Sequence, residues 1–173
     1  MELEDIKPPP WQTIKEYVAR SVATFVLLSK PLEGLRYGHT RNWIDFEVGL
    51  SCAEGKPVWV CEPQGQEVEF AVPHCTHYCI YDPTELSEVK RVKGYIDMYS
   101  GGVVGPAGHI GPAYTLLKAQ SARCAKDDCQ LEFHVMFKSK VDSFRCPSCR
   151  TRLYPVGLGP KGLEQPWETR TDE

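Results

Sequence analysis

The sequence predicts an open, mostly parallel α/β sheet, incomplete at its N-terminus, followed by a small cysteine-built β module. Three observations point there. Helical and strand periodicities alternate through the first hundred residues. The strands are apolar on both sides, as in a sheet covered on both faces. Four of the eight cysteines are grouped late in the chain, behind a glycine-rich run from Gly94 to Pro112. The expected organisation is an α/β domain over 8–100, a linker over 101–117, the cysteine module over 118–157 and an acidic tail over 158–173.

Trp11, Ile14, Tyr17 and Val18 recur on one face behind Pro8, Pro9 and Pro10, which predicts a short amphipathic helix. Ala23 to Ser29 (ATFVLLS) reads as a buried strand. Thr40 is positioned to cap a helix over 41–54, with Gly55 at its C-terminal end and Pro57 beyond. That helix is apolar nearly all round, which predicts extensive burial. Pro57–Cys61 and His77–Tyr81 are the next strands. Asp82, Pro83 and Glu85 have the spacing of an N-cap, N1 proline and N3 glutamate, and open a helix carrying Leu86, Val89, Val92 and Ile96. Only three strands are legible, and the chain starts on a helix where such domains start on a strand.

At 173 residues and 19.5 kDa the chain has room for one ordinary domain plus a mini-domain. A hydrophobic share of 42% and a charged share of 25% exclude a disordered composition. No apolar run approaches the ~20 residues of a transmembrane helix. The acidic start, Met1 to Asp5, is unlike a basic leader and points to a cytoplasmic protein, where eight cysteines suggest metal binding or buried thiols rather than disulfides. Net charge is -3 overall, but residues 1–112 carry -5 and 113–161 carry +5. Contact with an acidic partner, if there is one, therefore falls to the second module. A solvated basic surface is the plainer account.

The strongest local signal is Cys124-x4-Cys129-x16-Cys146-x2-Cys149, two thiolate pairs with enough chain between them for a hairpin. Four thiolates satisfy a tetrahedral zinc ion. Between the pairs, Leu131, Phe133, Val135 and Phe137 alternate with polar or flexible residues, as a half-buried strand does. The module resembles a zinc ribbon. Its first knuckle is longer than the common two-residue spacing, which keeps Asp127, Asp128 and His134 as alternative donors. A closed four-cysteine site leaves no position for substrate, so the expected role of Zn2+ is structural. Arg123, Lys126, Arg145, Arg150 and Arg152 are the candidate contacts to nucleic acid or a protein partner. Cys75, His77 and Cys79 stand at alternate positions of one strand, and either a second metal site or small buried thiols would account for them.

Glu47 lies in the middle of the apolar helix, one turn after Trp43. A carboxylate there is costly unless it pairs or faces a cleft. Arg41 and Lys56 are the simplest ion-pair partners; the alternative is chemistry. Ala23 to Ser29, followed by a loop and Thr40 to Leu50 (TRNWIDFEVGL), resembles the strand, loop and Trp-x-x-x-Glu helix of TIR domains. Phe46 to Val58 (FEVGLSCAEGKPV) is similar to the nucleoside 2-deoxyribosyltransferase family. The resemblance covers about residues 8–98 and implies a flavodoxin-like core shortened at the N-terminus. In both families the helix glutamate acts at an N-glycosidic bond. What it implies for this chain is a catalytic Glu47, a supporting Trp43, Ser29 and Tyr37 on the substrate rim, NAD as substrate, and self-association through the TIR-like domain. The competing readings are a non-catalytic nucleotide sensor or scaffold whose basic ribbon binds nucleic acid or protein, and a nucleoside deoxyribosyltransferase.

Overall fold

A computed structural model of the chain describes residues 11–28, 36–65, 70–100, 120–136, 143–155 and 169–171. Their elements run α1 (Trp11–Arg20), β1 (Thr24–Leu27), α2 (Arg36–Ala53), β2 (Val58–Pro63), β3 (His77–Tyr81), α3 (Leu86–Ser100), β4 (Gln120–Arg123), β5 (Glu132–Met136), β6 (Phe144–Arg145), β7 (Arg152–Pro155) and β8 (Thr169–Arg170). The linker expected at 101–117 and most of the tail expected at 158–173 fall outside the described residues; the tail's Thr169–Arg170 forms β8.

The result is a mixed α/β fold with a mostly parallel five-stranded sheet of order β1-β2-β3-β5-β4. β1, β2, β3 and β5 are parallel, and β4 closes the far side antiparallel to β5. The strand expected inside a separate hairpin module is thus β5, paired with β3 through His77↔His134, Tyr78↔Val135 and Cys79↔Met136. β6, β7 and β8 make a small antiparallel sheet of their own.

Strict alternation along the strands builds two cores. Val26, Val58, Val60, Tyr78, Phe133 and Val135 project to one face, where they meet Val48 and Ile44 of α2 together with Phe144, Cys146 and Leu153 of the cysteine region. Trp59, Cys61, Cys79 and Met136 project to the other, under Val92, Tyr95 and Tyr99 of α3. Trp59 anchors this second core: its indole donates to the Tyr99 hydroxyl at 2.9 Å and stacks on His77 at 4.3 Å. The cysteine region therefore shares a sheet face with α2, in a layer that helices fill in an ordinary open sheet.

Several local expectations need correction. α1 buries Ile14 and Val18, but Trp11 and Tyr17 are exposed, so its apolar stripe is narrower than the spacing suggests. α2 begins at Arg36, which puts Thr40 inside the helix rather than at its cap. Nor is α2 mostly buried: its described side chains include only two fully buried ones, Val48 and Ser51, because the helix rests on the sheet along one stripe. Asp82 does accept from the Thr84 amide at 2.8 Å, yet α3 starts only at Leu86, with Glu85 supplying the carbonyl for its first turn. Gly94, read as the start of a flexible run, lies within α3.

Candidate metal centre and candidate active site

Cys124 follows β4 and Cys129 ends the turn before β5, while Cys146 follows β6 and Cys149 ends the turn before β7. All four sulfurs lie within 4.8 Å of one another. The cross-knuckle pairs Cys124–Cys149 and Cys129–Cys146 stand 3.6 and 3.8 Å apart. A tetrahedron of sulfurs about 2.3 Å from a zinc ion has edges of about 3.8 Å. The four cysteines can thus hold a metal ion such as zinc, as their spacing suggests. Asp128 is engaged by Lys126 at 3.1 Å, and His134 stands beside His77 on the α3 side, so neither is needed as a donor.

Backbone and hydroxyl groups are already aimed at the sulfurs. Burial raises the Cys124 thiol to about 12, with the Lys126 amide acting against it. Burial also acts to raise Cys149, but hydrogen bonds involving Thr151, Cys124 and Cys146 together bring that thiol down to about 7. Both knuckles end on a residue of positive φ, Gln130 at 44° and Arg150 at 60°, a conformation that L side chains seldom adopt. This is the turn that places the second sulfur of each pair beside the first.

Arg150 is not the partner contact that its charge suggests. Its guanidinium forms a two-pronged ion pair with Glu62 at the end of β2, at 2.5 and 3.0 Å, and both side chains are under 10% exposed. Tyr78 donates to the same carboxylate at 2.5 Å. Burial, and then the Glu62 charge, hold the Tyr78 hydroxyl protonated well above its usual range. Arg123 and Lys126 are also engaged locally, with Gln130 and Glu132 and with Asp128 respectively. Beside the Glu62 network, at the carboxyl ends of β2 and β3, lies an open cleft of about 250 Å³ lined by Tyr78, Ile80, Phe144, Arg145 and Arg152. Arg145 and Arg152 are direct cross-strand partners.

Glu47 sits half-buried on α2, and burial raises its carboxyl above the usual range. One turn later, Ser51 donates to the Glu47 carbonyl at 2.9 Å, which leaves the Thr24 hydroxyl to donate to Ser51 at 2.6 Å. Glu47 therefore shares the helix stripe that overlooks β1. Neither of its simple ion-pair partners reaches it. Arg41 pairs with Asp45 at 3.8 Å and lies over the Phe70 ring. Lys56 donates to the Val18 and Ala19 carbonyls and so caps the C-terminus of α1. Among the described residues the Glu47 carboxylate has neither a hydrogen bond nor an ion pair. Trp43, one turn earlier, makes an edge contact with Phe46 at 6.0 Å. Ser29 and the side chain of Tyr37 lie outside the described residues.

Cys75, His77 and Cys79 do not converge. Cys75 precedes β3 and packs in the α2-side core, whereas His77 and Cys79 face α3. The buried Glu62–Tyr78–Arg150 network went unread in the sequence. Its one visible trace is a carboxylate closing an otherwise apolar strand, Val58–Pro63.

Fold and site together define an α/β protein with a four-cysteine cluster able to hold a metal ion, and no helix among the described residues is long and apolar enough to cross a membrane. Comparison with known proteins finds no matching family model, no matching curated protein and no matching solved structure.

Proposed function

We propose that this chain is a TIR-like, flavodoxin-like enzyme that cleaves the N-glycosidic bond of NAD and releases nicotinamide, with a structural Zn2+ ion held by Cys124, Cys129, Cys146 and Cys149. The observation that carries the reading is the state of Glu47: a half-buried carboxylate that has neither a hydrogen bond nor an ion pair among the described residues, while Arg41 and Lys56 are committed elsewhere. A structural carboxylate in that position would normally be paired. One reserved for chemistry is not.

Breaking a ribosyl C–N bond develops an oxocarbenium ion. A fixed anion beneath the anomeric carbon stabilises charge that appears mainly in the transition state. The same oxygen can also attack and hold the sugar covalently, the route a deoxyribosyltransferase would use. Trp43 supports the sugar or base, Ser29 and Tyr37 contribute the rim, and self-association completes the pocket beside β1, one of the two edge strands of the described sheet.

A second reading has its own support. The cleft at the carboxyl ends of β2 and β3, where open α/β sheets bind ligands, presents Arg145 and Arg152 and suits a nucleotide sensor without turnover. Nucleic-acid binding through the basic module has less support, since Arg150, Arg123 and Lys126 are engaged within the fold.

Nicotinamide release from NAD, measured at low and high protein concentration beside Glu47→Ala, separates these readings. The enzyme reading predicts turnover that rises steeply with concentration and is lost in the variant. Turnover that survives Glu47→Ala refutes the mechanism, and saturable NAD binding without turnover selects the sensor.

A further inference from the structure

Cys61 and Cys79 lie outside both the metal centre and the Glu47 helix, yet their placement is specific. They are register partners on the neighbouring parallel strands β2 and β3, and both project to the α3 face. Neighbouring strands run about 4.8 Å apart. That falls inside the roughly 4.4–6.8 Å Cα separation that a disulfide spans. Both residues are fully buried, but Cys79 is not in purely apolar surroundings: Arg91 of α3 directs one guanidinium nitrogen to its sulfur at 3.8 Å.

Arg91 is held in place by further bonds, one from the same Nη1 to Tyr95 and the rest from Nε and Nη2. It pairs with Glu88 at 2.5 Å, donates to the Tyr95 hydroxyl at 3.0 Å and donates to the Ile80 carbonyl at 2.9 Å. Its side chain is 21% exposed, so it links the sulfur to the surface. The two thiols also hydrogen-bond each other, which raises Cys61 and lowers Cys79, with Arg91 favouring the Cys79 thiolate and Glu88 opposing it. The Arg91 guanidinium stands against the Cys79 sulfur, so its charge favours a thiolate there and makes Cys79 the nucleophile.

We propose that Cys61 and Cys79 form a redox-active dithiol that hydrogen peroxide oxidises to a disulfide joining β2 to β3. The Cys79 thiolate attacks one peroxide oxygen and the O–O bond breaks. Hydroxide leaves, takes up a proton and becomes water, and Cys79 becomes a sulfenic acid. The Cys61 sulfur then attacks the sulfenic sulfur. The S–S bond forms, the S–O bond breaks, and the departing hydroxide takes the Cys61 proton as a second water. Two thiols lose two electrons and one peroxide gains them.

The test uses the full chain loaded with zinc, exposed to graded hydrogen peroxide, then denatured, alkylated and mapped by peptide mass. The expected product is a Cys61–Cys79 cross-linked peptide two hydrogens lighter than its parts and reversed by dithiothreitol. Cys61→Ser should stop at the Cys79 sulfenic acid, one oxygen heavier, and Cys79→Ser should leave Cys61 reduced. Arg91→Gln should slow cross-linking about tenfold, the effect of a one-unit rise in the pKa of Cys79 on its thiolate fraction. The wild-type map alone decides the matter if a variant folds poorly. Recovery of both residues as thiols at peroxide doses that oxidise the exposed Cys52 overturns the proposal, as does either residue cross-linked to a different cysteine.

Discussion

Arg150 holds a backbone conformation that suits glycine, and the reason lies 88 residues earlier in the chain, at Glu62. Only a long side chain launched from that turn reaches the β2 carboxylate. Replacing Arg150 with glycine relieves about 1 kcal/mol of backbone strain. It also leaves Glu62 buried without its cation, at a cost of about 3–5 kcal/mol. Arg150→Gly should therefore lower unfolding free energy by about 2–4 kcal/mol in denaturant titration, and adding Glu62→Gln should recover part of the loss. Glu47 calls for the opposite outcome. Its folded pKa lies above the ordinary 4.5, so the folded state binds the extra proton and stability falls as pH rises from 4.5 through that value. Glu47→Gln should be no less stable than wild type at neutral pH, whereas loss of a salt bridge would destabilise it. His77 sets the acid limit. The Thr76 hydroxyl donates to the Val58 carbonyl, so its contact with His77 Nδ1 at 2.8 Å must be donated by the ring, which fixes one neutral tautomer. Burial, helped by His134, brings the His77 pKa down to about 3. The unfolded chain binds this proton near 6.5, so the stability that neutral His77 contributes is complete above 6.5 and lost as pH falls toward 3. His77→Gln should flatten the acid limb of a stability–pH curve. None of these three environments was legible from spacing, because each joins residues through the fold or depends on how deeply the fold buries them.

Elements were more legible than their partners. β3 appears at its predicted residues, and β2 and β1 within a residue or two, because apolar runs bounded by glycine, proline or polar loops mark strands directly. β5 was visible too, through the alternation of Phe133 and Val135, but its parallel partner β3 lies some fifty residues away and leaves no local trace. The helix over Arg36–Ala53 was clear in outline. Its burial was overestimated because Trp43, Ile44, Phe46 and Leu50 count as apolar all round while the helix touches the sheet on one stripe. The cysteine spacing was the most informative motif, since two knuckles and a hairpin's worth of chain leave few other arrangements. β6 has only two residues and β7 four, too little ladder to stand without a staple. Elemental analysis should find one zinc per chain, and Cys146→Ser should lose the metal and destabilise the fold by several kcal/mol. Protein with intact cysteines and no zinc would refute the centre.

At the scale of the whole molecule, one sheet carries both halves of the chain. α3 covers one face; α2 and the cysteine region lie side by side on the other, in a common core that runs from Val26 and Val48 to Cys146 and Leu153. The charge asymmetry and the glycine-rich run suggested two independent units, since composition records a boundary in sequence but not the strand that returns across it. On this account the metal staple replaces a helix layer, and the Arg150–Glu62 pair ties it to the carboxyl end of β2. Metal centre and sheet are therefore expected to fold as one cooperative unit that presents Glu47 on the same face. Hydrogen exchange of the zinc-loaded chain, before and after chelation, measures this coupling. Chelation should release protection together in β5, β3 and β2, at Phe133–Met136, His77–Tyr81 and Val58–Pro63. Release confined to 143–155, with the parallel strands still protected, would contradict it and make the cysteine region a separate module.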